Sequence, residues 1–195
     1  MSELSARLAG LSPEKRELLE ALLRKKKAEA ASAAVIPPRG AVSGPFPLSF
    51  SQERLWLLDQ LEPGSPAYNI PIALRLAGDL DVRALRGSYA ALVRRHESLR
   101  TRFAVRDGNP VQAVDPPGLP PLPLADLGGL PAGVREAEAR ERAEAEGLRP
   151  FDLQDGPLCR CVLFRLAGGD HLLLANLHHI VSDGWSTGIF ARELG

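Results

Sequence analysis

A pair of histidines and a nearby aspartate have the residue types and spacing of a catalytic site. Residues 178–186 read His-His-Ile-Val-Ser-Asp-Gly-Trp-Ser. An imidazole titrates near neutral pH and can act as a general base, while Asp183 could orient an imidazole or pair with an arginine. The alternative interpretation is a surface histidine pair beside an aspartate that caps the next helix. Because short motifs often match by chance, this stretch alone leaves both interpretations open.

The residues around the motif predict the elements that position it. Residues 171–177 are rich in leucine and read as a buried strand, and residues 182–184, Ser-Asp-Gly, are a turn signal. A helical pattern follows, whose apolar residues are Trp185, Ile189, Phe190 and Leu194. A strand, a turn and a helix in this order present a reactive side chain at the edge of a sheet. We expect Trp185 to lie in the core rather than to contact a substrate.

Length and composition favour one globular domain, alone or with a short extension. The chain has 195 residues, 45% of them hydrophobic, and its 24 basic residues balance its 24 acidic residues. This balance argues against a nucleic-acid or polybasic membrane surface. No apolar run is long enough to span a bilayer, and residues 1–10 lack the apolar segment of a secretory signal. We therefore expect a cytoplasmic protein in which Cys159 and Cys161 are reduced core residues on one face of a strand.

Residues 1–44 are predicted to be a separate region, and residues 45–195 the globular body. Residues 12–14, Ser-Pro-Glu, are typical of a helix start. The leucines of one apolar stripe are Leu11, Leu18, Leu19, Leu22 and Leu23. Prolines and glycines from residue 37 onward stop the helix. A single amphipathic helix cannot form a core alone, so it either docks on the body, docks on another protein or remains a solvated linker.

The body is predicted to mix helices and strands, which places it in the α/β class in the broad, α+β sense. The predicted helices are residues 51–58, capped by Ser49 or Ser51, residues 81–95, and a charged, mostly exposed segment at 134–146. The predicted strands are residues 68–76, 101–105, 111–114, 158–166 and 171–177, of which the second and third form a hairpin. Residues 116–123 are too rich in proline for a central strand.

Three stretches of the body together resemble the condensation domain of nonribosomal peptide synthetases. They are residues 49–58 (Ser-Phe-Ser-Gln-Glu-Arg-Leu-Trp-Leu-Leu), residues 95–103 (Arg-His-Glu-Ser-Leu-Arg-Thr-Arg-Phe) and the histidine motif at 178–186. Ser51 stands where the family usually has alanine. Two further stretches typical of the family are residues 68–71, Tyr-Asn-Ile-Pro, and residues 150–153, Pro-Phe-Asp-Leu. The stretches occur in the family's order, from about residue 48 to the end of the chain.

The resemblance implies the chloramphenicol-acetyltransferase-like fold, in which two similar lobes form a V around an active-site tunnel. The chain would hold only the first lobe, a mixed sheet packed with helices, as a fragment of a much larger synthetase. Apolar side chains that normally face the second lobe would then be exposed, and His179 would be more accessible than in a complete domain. Such a fragment is expected to be inactive in condensation when alone.

The resemblance also implies the chemistry. In this family an acyl or peptidyl donor is held as a thioester on the 4'-phosphopantetheine arm of one carrier domain. The amine of an aminoacyl acceptor, on a second carrier, attacks the thioester to form an amide. His179 matches the active-site histidine, which positions the amine or accepts its proton, and the sequence leaves open the share of each role. His178 matches a position that is structural in the family.

The resemblance assigns supporting roles to the rest of the motif. Asp183 is expected to form a buried ion pair with an arginine of the second stretch, either Arg95 or Arg100, and so to hold the catalytic loop. Gly184 is expected to permit close approach of the backbone at the turn. Trp185 and the serine after it are more typical of domains that join two L-residues than of epimerisation domains.

The expected partners are the upstream and downstream carrier domains and the rest of the synthetase, including the second lobe. An upstream synthase could also dock on the N-terminal helix. The chain itself is expected to bind no cofactor or metal, and no nucleic acid or membrane. Two other functions remain open: another acyltransferase of the same fold, because acyl-CoA-dependent members share His-x-x-x-Asp-Gly, and a truncated, non-catalytic docking module. Residues 95–103 argue against the other acyltransferase, because that stretch is characteristic of the synthetases.

Overall fold

The computed structural model of the chain describes residues 44–195. The predicted helix that begins at Pro13, its leucine stripe and its linker lie outside the described residues. The helices are α1 (Phe50–Leu61), α2 (Val82–Arg95), α3 (Ala132–Leu148) and α4 (Gly184–Leu194). The strands are β1 (Phe46–Pro47), β2 (Asn69–Ala77), β3 (Thr101–Arg106), β4 (Asn109–Val114), β5 (Leu124–Asp126), β6 (Cys159–Ala167) and β7 (Asp170–His178). Short 3₁₀ turns at Pro66–Tyr68 and Glu97–Arg100 lead into β2 and β3.

Four strands form the sheet that carries the histidine motif. Their order is β2-β7-β6-β5. Strand β7 pairs antiparallel with both of its neighbours, and the short β5 pairs parallel with β6. In this register Asn69, at the start of β2, lies opposite His178, at the end of β7. A separate antiparallel sheet has the order β1-β4-β3. The mixed sheet packed with helices confirms the predicted fold class.

Helices cover both faces of the four-stranded sheet. On one face, α2 and α4 pack through an apolar cluster that includes Tyr89, Phe190 and Leu173. On the other face, α3 packs through a second cluster that includes Ala139 and Leu174. Burying a large apolar side chain of this kind stabilises the fold by about 1.5–3 kcal/mol. In residues 44–195, no helix is long and apolar enough to cross a bilayer.

The two cysteines lie in the core, as the strand pattern predicts. Cys159 and Cys161 are free thiols on β6, and each is 3% exposed. Both belong to the cluster beneath α2, where the hydroxyl of Tyr89 donates to the carbonyl oxygen of Cys159 at 3.1 Å. Their burial in an apolar environment fits a structural rather than a reactive role.

A third apolar cluster joins α1 to the loops around the histidine motif. It includes Leu48, Phe103, Phe151 and Ile180, with Trp56 packed against it. Ile180 belongs to the motif itself and is 4% exposed. The turn that follows the histidine pair is therefore anchored in the core on the side of the molecule that faces α1.

Side-chain caps explain where the first two helices begin. Ser49, and not Ser51, caps α1: its hydroxyl accepts from the Gln52 N–H at 3.3 Å, and the Gln52 side chain accepts from the Ser49 N–H at 2.9 Å. This reciprocal pair is a capping box. Asp81 caps α2 by accepting two backbone N–H groups of the first turn. Both caps satisfy donors that a helix start leaves unpaired.

The predicted hairpin is present, with a tight turn between β3 and β4. Asp107 and Gly108 have positive φ values of 51° and 78°, a combination that the Asp-Gly pair tolerates well. The sequence pattern does not predict strand β5, because it follows the proline-rich segment directly and has only three residues. It is formed by pairing with β6 at the edge of the sheet rather than by a local pattern.

The prediction that Trp185 lies in the core is wrong. Its side chain is 83% exposed, whereas Phe190 and Leu194 are 4% and 6% exposed. With roughly 100° between successive helical residues, Trp185 lies about 180° around α4 from Leu194. The packed face of α4 therefore begins one turn later than the apolar pattern suggests.

Candidate active site

The two histidines lie at the end of β7 in different environments. His178 is the last residue of β7 and is 3% exposed, whereas His179 follows it and is exposed. The backbone N–H of His179 donates to the carbonyl oxygen of Tyr68 at 2.8 Å. Because Tyr68 immediately precedes β2, this hydrogen bond ties the turn to the neighbouring strand. The site therefore presents one accessible imidazole on a backbone that is fixed by two strands.

His178 is a neutral, packed side chain. Its Nδ1 accepts the backbone N–H of Ile180 at 3.1 Å, so the ring proton of the neutral form lies on Nε2. Phe151 contacts the ring edge-on, with centroids 5.9 Å apart, and Tyr68 lies 6.3 Å away. Burial, with a smaller contribution from the charge of His179, lowers the pKa of His178 from 6.5 to about 4. Near neutral pH it can therefore shape the turn without carrying charge.

His179 is the group that is available for chemistry. Among residues 44–195, no side chain donates to or accepts from its ring, so both ring nitrogens can serve a ligand. An exposed imidazole can accept a hydrogen bond from an amine and take up its proton. The geometry thus separates the pair into one buried histidine that holds the turn and one exposed histidine that can react.

Asp183 caps α4. Its Oδ1 accepts from the Ser186 N–H at 2.8 Å and from the Ser186 hydroxyl at 2.6 Å. These hydrogen bonds lower the pKa of the Asp183 carboxyl, with a small further contribution from the charge of His179. The carboxylate is exposed, not buried. Capping of this kind was the alternative interpretation of the motif.

The expected ion pair between this aspartate and an arginine is not found in the described part of the chain. Arg95 lies 3.5 Å from Glu193 instead, and its side chain is 70% exposed. Arg100 lies 3.4 Å from Glu97 and donates to the carbonyl oxygen of Asp115. The physical reason is that the start of α4 needs an acceptor, and the aspartate side chain supplies it locally.

The second family stretch nevertheless contacts the helix after the motif. His96 Nε2 lies 2.7 Å from Glu193 Oε2, and this interaction lowers the pKa of Glu193. The pair joins the end of α2 to the last turn of α4. Sequence reasoning missed it because the two residues are 97 positions apart. The sequence shows only a histidine directly after one predicted helix and an acidic residue within another, and this pattern does not indicate that the two side chains meet.

The expected role of Gly184 has no counterpart within the described residues. A Cβ placed on Gly184 would meet no atom within 4 Å, and its φ is not in the left-handed region. Nothing in residues 44–195 therefore requires a glycine at this position. Close approach of the backbone at this turn stays a prediction.

Replacing Asp183 separates capping from charge pairing. We expect Asp183→Ala to lower the free energy of unfolding by about 1 kcal/mol, because the start of α4 loses its acceptor. Asp183→Asn should lower the free energy of unfolding much less, since an asparagine side chain caps a helix start equally well. Urea denaturation of the two variants beside the unmodified chain measures this. Equal destabilisation by both substitutions would show that the carboxylate's charge matters more than its cap.

Comparison with known proteins identifies the family to which this fold and histidine motif belong. The profile of the condensation domain family matches residues 42–195. The chain belongs to the condensation domain family of nonribosomal peptide synthetases, as the sequence resemblance predicts. It is 46% identical over 194 residues to phosphinothricin tripeptide synthetase PhsC of Streptomyces viridochromogenes. It is 53% identical over 149 residues, 76% of the chain, to one of the proteins that make up the linear gramicidin synthase of Brevibacillus parabrevis.

Solved condensation domains have the same fold. The first condensation domain of the CDA synthetase superposes with a TM-score of 0.71 at 30% identity, and the match covers 78% of this chain and 40% of that one. The starter condensation domain of rhizomide synthetase superposes with a TM-score of 0.72 at 26% identity, covering 78% of this chain and 36% of that one. These similarities support the chloramphenicol-acetyltransferase-like lobe.

The chain spans only a small part of its relatives. It covers 18% of PhsC and 3% of the linear gramicidin synthase protein. It also covers well under half of the two solved condensation domains. The sequence therefore corresponds to part of one condensation domain.

Proposed function

We propose that the protein containing this chain joins a carrier-bound acyl or peptidyl thioester to the amine of a carrier-bound aminoacyl group. The reaction would join two L-residues, with His179 at the reacting centre. The observation that carries the proposal is the exposed His179 imidazole, whose backbone is fixed between β2 and β7 in a chain of the condensation domain family.

The proposed reaction forms one C–N bond and breaks one C–S bond. The acceptor amine attacks the thioester carbonyl carbon, the donor arm leaves as a thiol, and the amine gives up one proton. His179 accepts a hydrogen bond from the amine and then that proton, which returns to the departing sulfur. Because thioesters are already reactive, holding the amine in line with the carbonyl supplies much of the rate.

The residues next to His179 would hold it in place. His178 fills the space between Phe151 and Tyr68 as a neutral ring. Asp183 starts α4 directly after the turn. Arg95 and Arg100 act on other acidic partners, so we assign them no direct role in the reaction.

The proposal implies carrier domains as partners. Both substrates would arrive on 4'-phosphopantetheine arms, and the chain itself would bind no cofactor. Trp185, six positions after His179 and 83% exposed, is an apolar side chain that a covering second lobe would bury. We also propose that the N-terminal segment, through its leucine stripe, receives an upstream synthase, and that the protein is cytoplasmic.

An assay with defined donors tests the function. A chain extended through the rest of the condensation domain, supplied with two loaded carrier domains, should release the amide on the acceptor carrier, detected by mass spectrometry. The same donor acyl group presented on coenzyme A should react far more slowly. Residues 1–195 alone should give no turnover, because the second wall of the tunnel is missing.

Other outcomes would favour the alternatives. Equal or faster transfer from coenzyme A would identify an acyl-CoA-dependent acyltransferase of the same fold. No transfer from either donor, together with carrier binding, would identify a docking module. Turnover by residues 1–195 at the rate of the extended chain would show that the second lobe is dispensable.

A further inference from the structure

Arg160 lies at the centre of a contact network that the histidine motif does not explain. It lies on β6, and its side chain is only 11% exposed. Its guanidinium donates from Nε to Glu146 at 2.7 Å, from Nη1 to the Pro150 carbonyl at 3.0 Å, and from Nη2 to the Arg149 carbonyl at 2.6 Å. All three nitrogens are therefore used at the end of α3.

Two asparagines complete this capping of α3. Asn69 donates to the carbonyl oxygens of Gly147 and Arg149 at 2.7 and 3.0 Å. Asn176 donates to those of Glu146 and Gly147 at 2.9 and 3.2 Å. The last carbonyls of a helix have no partner within the helix, and a cation there is favoured by the helix dipole. Residues on β2, β7 and β6 thus hold the end of α3 against the sheet.

Phe151 connects this cap to the histidine pair. The Arg160 guanidinium carbon lies 3.7 Å from the centroid of the Phe151 ring, and that ring meets the His178 ring in a T-shaped contact with the ring planes at 78°. Phe151 is 6% exposed, so both of these contacts are shielded from water. A planar cation can stack on a ring while its edge binds acceptors, which an ammonium group cannot do.

We propose that Arg160 is a positioning residue for the reaction, which acts through Phe151 to fix the ring of His178 and hence the turn that presents His179. The proposal rests on the proposed function for its effect on amide formation. It also explains the Pro-Phe-Asp-Leu stretch at residues 150–153, which places an aromatic ring between the arginine and the histidine.

Successive contacts explain why replacing Arg160 would shift His179. The Nδ1 of His178 accepts the Ile180 N–H, and these two residues flank His179. If the His178 ring tilts, that hydrogen bond lengthens and the turn shifts. A misplacement of about 1 Å in a catalytic group can cost about a hundredfold in rate.

The first readout is the His178 ring itself, followed by ¹⁵N NMR of the 195-residue chain. In the unmodified chain the ring should be the Nε2–H tautomer and stay neutral to about pH 4. With Arg160→Met, the signal should become a mixture of tautomers, and the pKa should rise towards 6.5. Arg165→Met is the matched control, because Arg165 lies on the same strand but pairs with Asp126 on the surface; it should leave the signal unchanged.

The second readout is amide formation by the extended protein with loaded carriers. Arg160→Met should lower the rate about tenfold to a hundredfold, and Arg160→Lys should not restore it, because lysine has no planar group to stack. If Arg160→Met fails to fold, Phe151→Leu tests the same contact while leaving the Arg160 hydrogen bonds in place. It should produce the same change at His178.

The NMR signal and the rate of amide formation test the positioning role and the proposed function separately. A folded Arg160→Met or Phe151→Leu variant with an unchanged His178 signal would overturn the positioning role. So would a changed His178 signal with full amide formation, or restoration by Arg160→Lys. If the unmodified extended protein forms no amide, the proposed function fails, and the NMR signal still decides whether Arg160 orients His178.

Discussion

Replacing His179 with alanine in the extended protein should lower the rate of amide formation by at least about a hundredfold. General acid–base catalysis usually contributes at least this much to a rate. The fold should not change, because His179 is exposed and, within residues 44–195, it is held by the hydrogen bond from its backbone N–H to the Tyr68 carbonyl rather than by its side chain. The measurement is product formed per minute with both carriers loaded, together with the thermal unfolding midpoint of each variant.

His179→Gln separates the two roles of the imidazole. Glutamine can accept a hydrogen bond from the amine but cannot take up its proton near neutral pH. A rate close to that of the unmodified protein would assign His179 to positioning, and a rate close to that of His179→Ala would assign it to proton transfer. Near-normal amide formation by His179→Ala would remove this residue from the reacting centre.

Acidification should destabilise the fold through His178. Its folded-state pKa lies below the unfolded value, so the unfolded chain binds the proton first as the pH falls. The contribution is therefore complete above about pH 6.5 and is lost as the pH falls towards about 4. At about 1.4 kcal/mol per pKa unit, a shift of this size corresponds to a loss of roughly 3 kcal/mol.

His178→Asn is the matched control for this pH dependence. An asparagine side-chain oxygen can accept the Ile180 N–H, and the amide does not titrate in this range. The difference in unfolding free energy between the two chains, measured in urea from pH 7.5 to pH 4, isolates His178 from the carboxyl groups. Parallel curves would show that His178 is not held neutral by the fold.

Local sequence patterns correctly predicted the secondary structure around the histidine motif. The strand, turn and helix around the histidines are present, because leucine content, the Ser-Asp-Gly turn and the Asp183 cap all act within a few residues. The cap on α1 and the hairpin turn at Asp107 were predictable for the same reason. In each case the residues that determine the structure are neighbours in the sequence.

The contacts that fix the site come from distant parts of the chain, and the sequence did not predict them. His96 meets Glu193 across 97 positions, and Arg160 stacks on Phe151, which packs on His178. No periodicity pairs such residues. The apolar pattern misplaces Trp185 because it does not reveal where the packed face of a helix begins. The family resemblance predicts an arginine partner for the motif's aspartate, where a local cap is sufficient.

Strand β2 forms one edge of the four-stranded sheet, and this edge matters when the lobe is produced without the rest of the protein. Within residues 44–195, β2 pairs on one side only, with β7, so its other side could add a strand from another copy and start aggregation. Pro71, the third residue of β2, has no N–H to donate, and Arg75, which pairs with Glu136 and Asp170, places a charged side chain further along the same strand. Both residues oppose the pairing of a further strand at this edge. A redesign that replaced Pro71 with a better strand former would weaken this protection, on the strand that follows Tyr68, to whose carbonyl the His179 N–H donates.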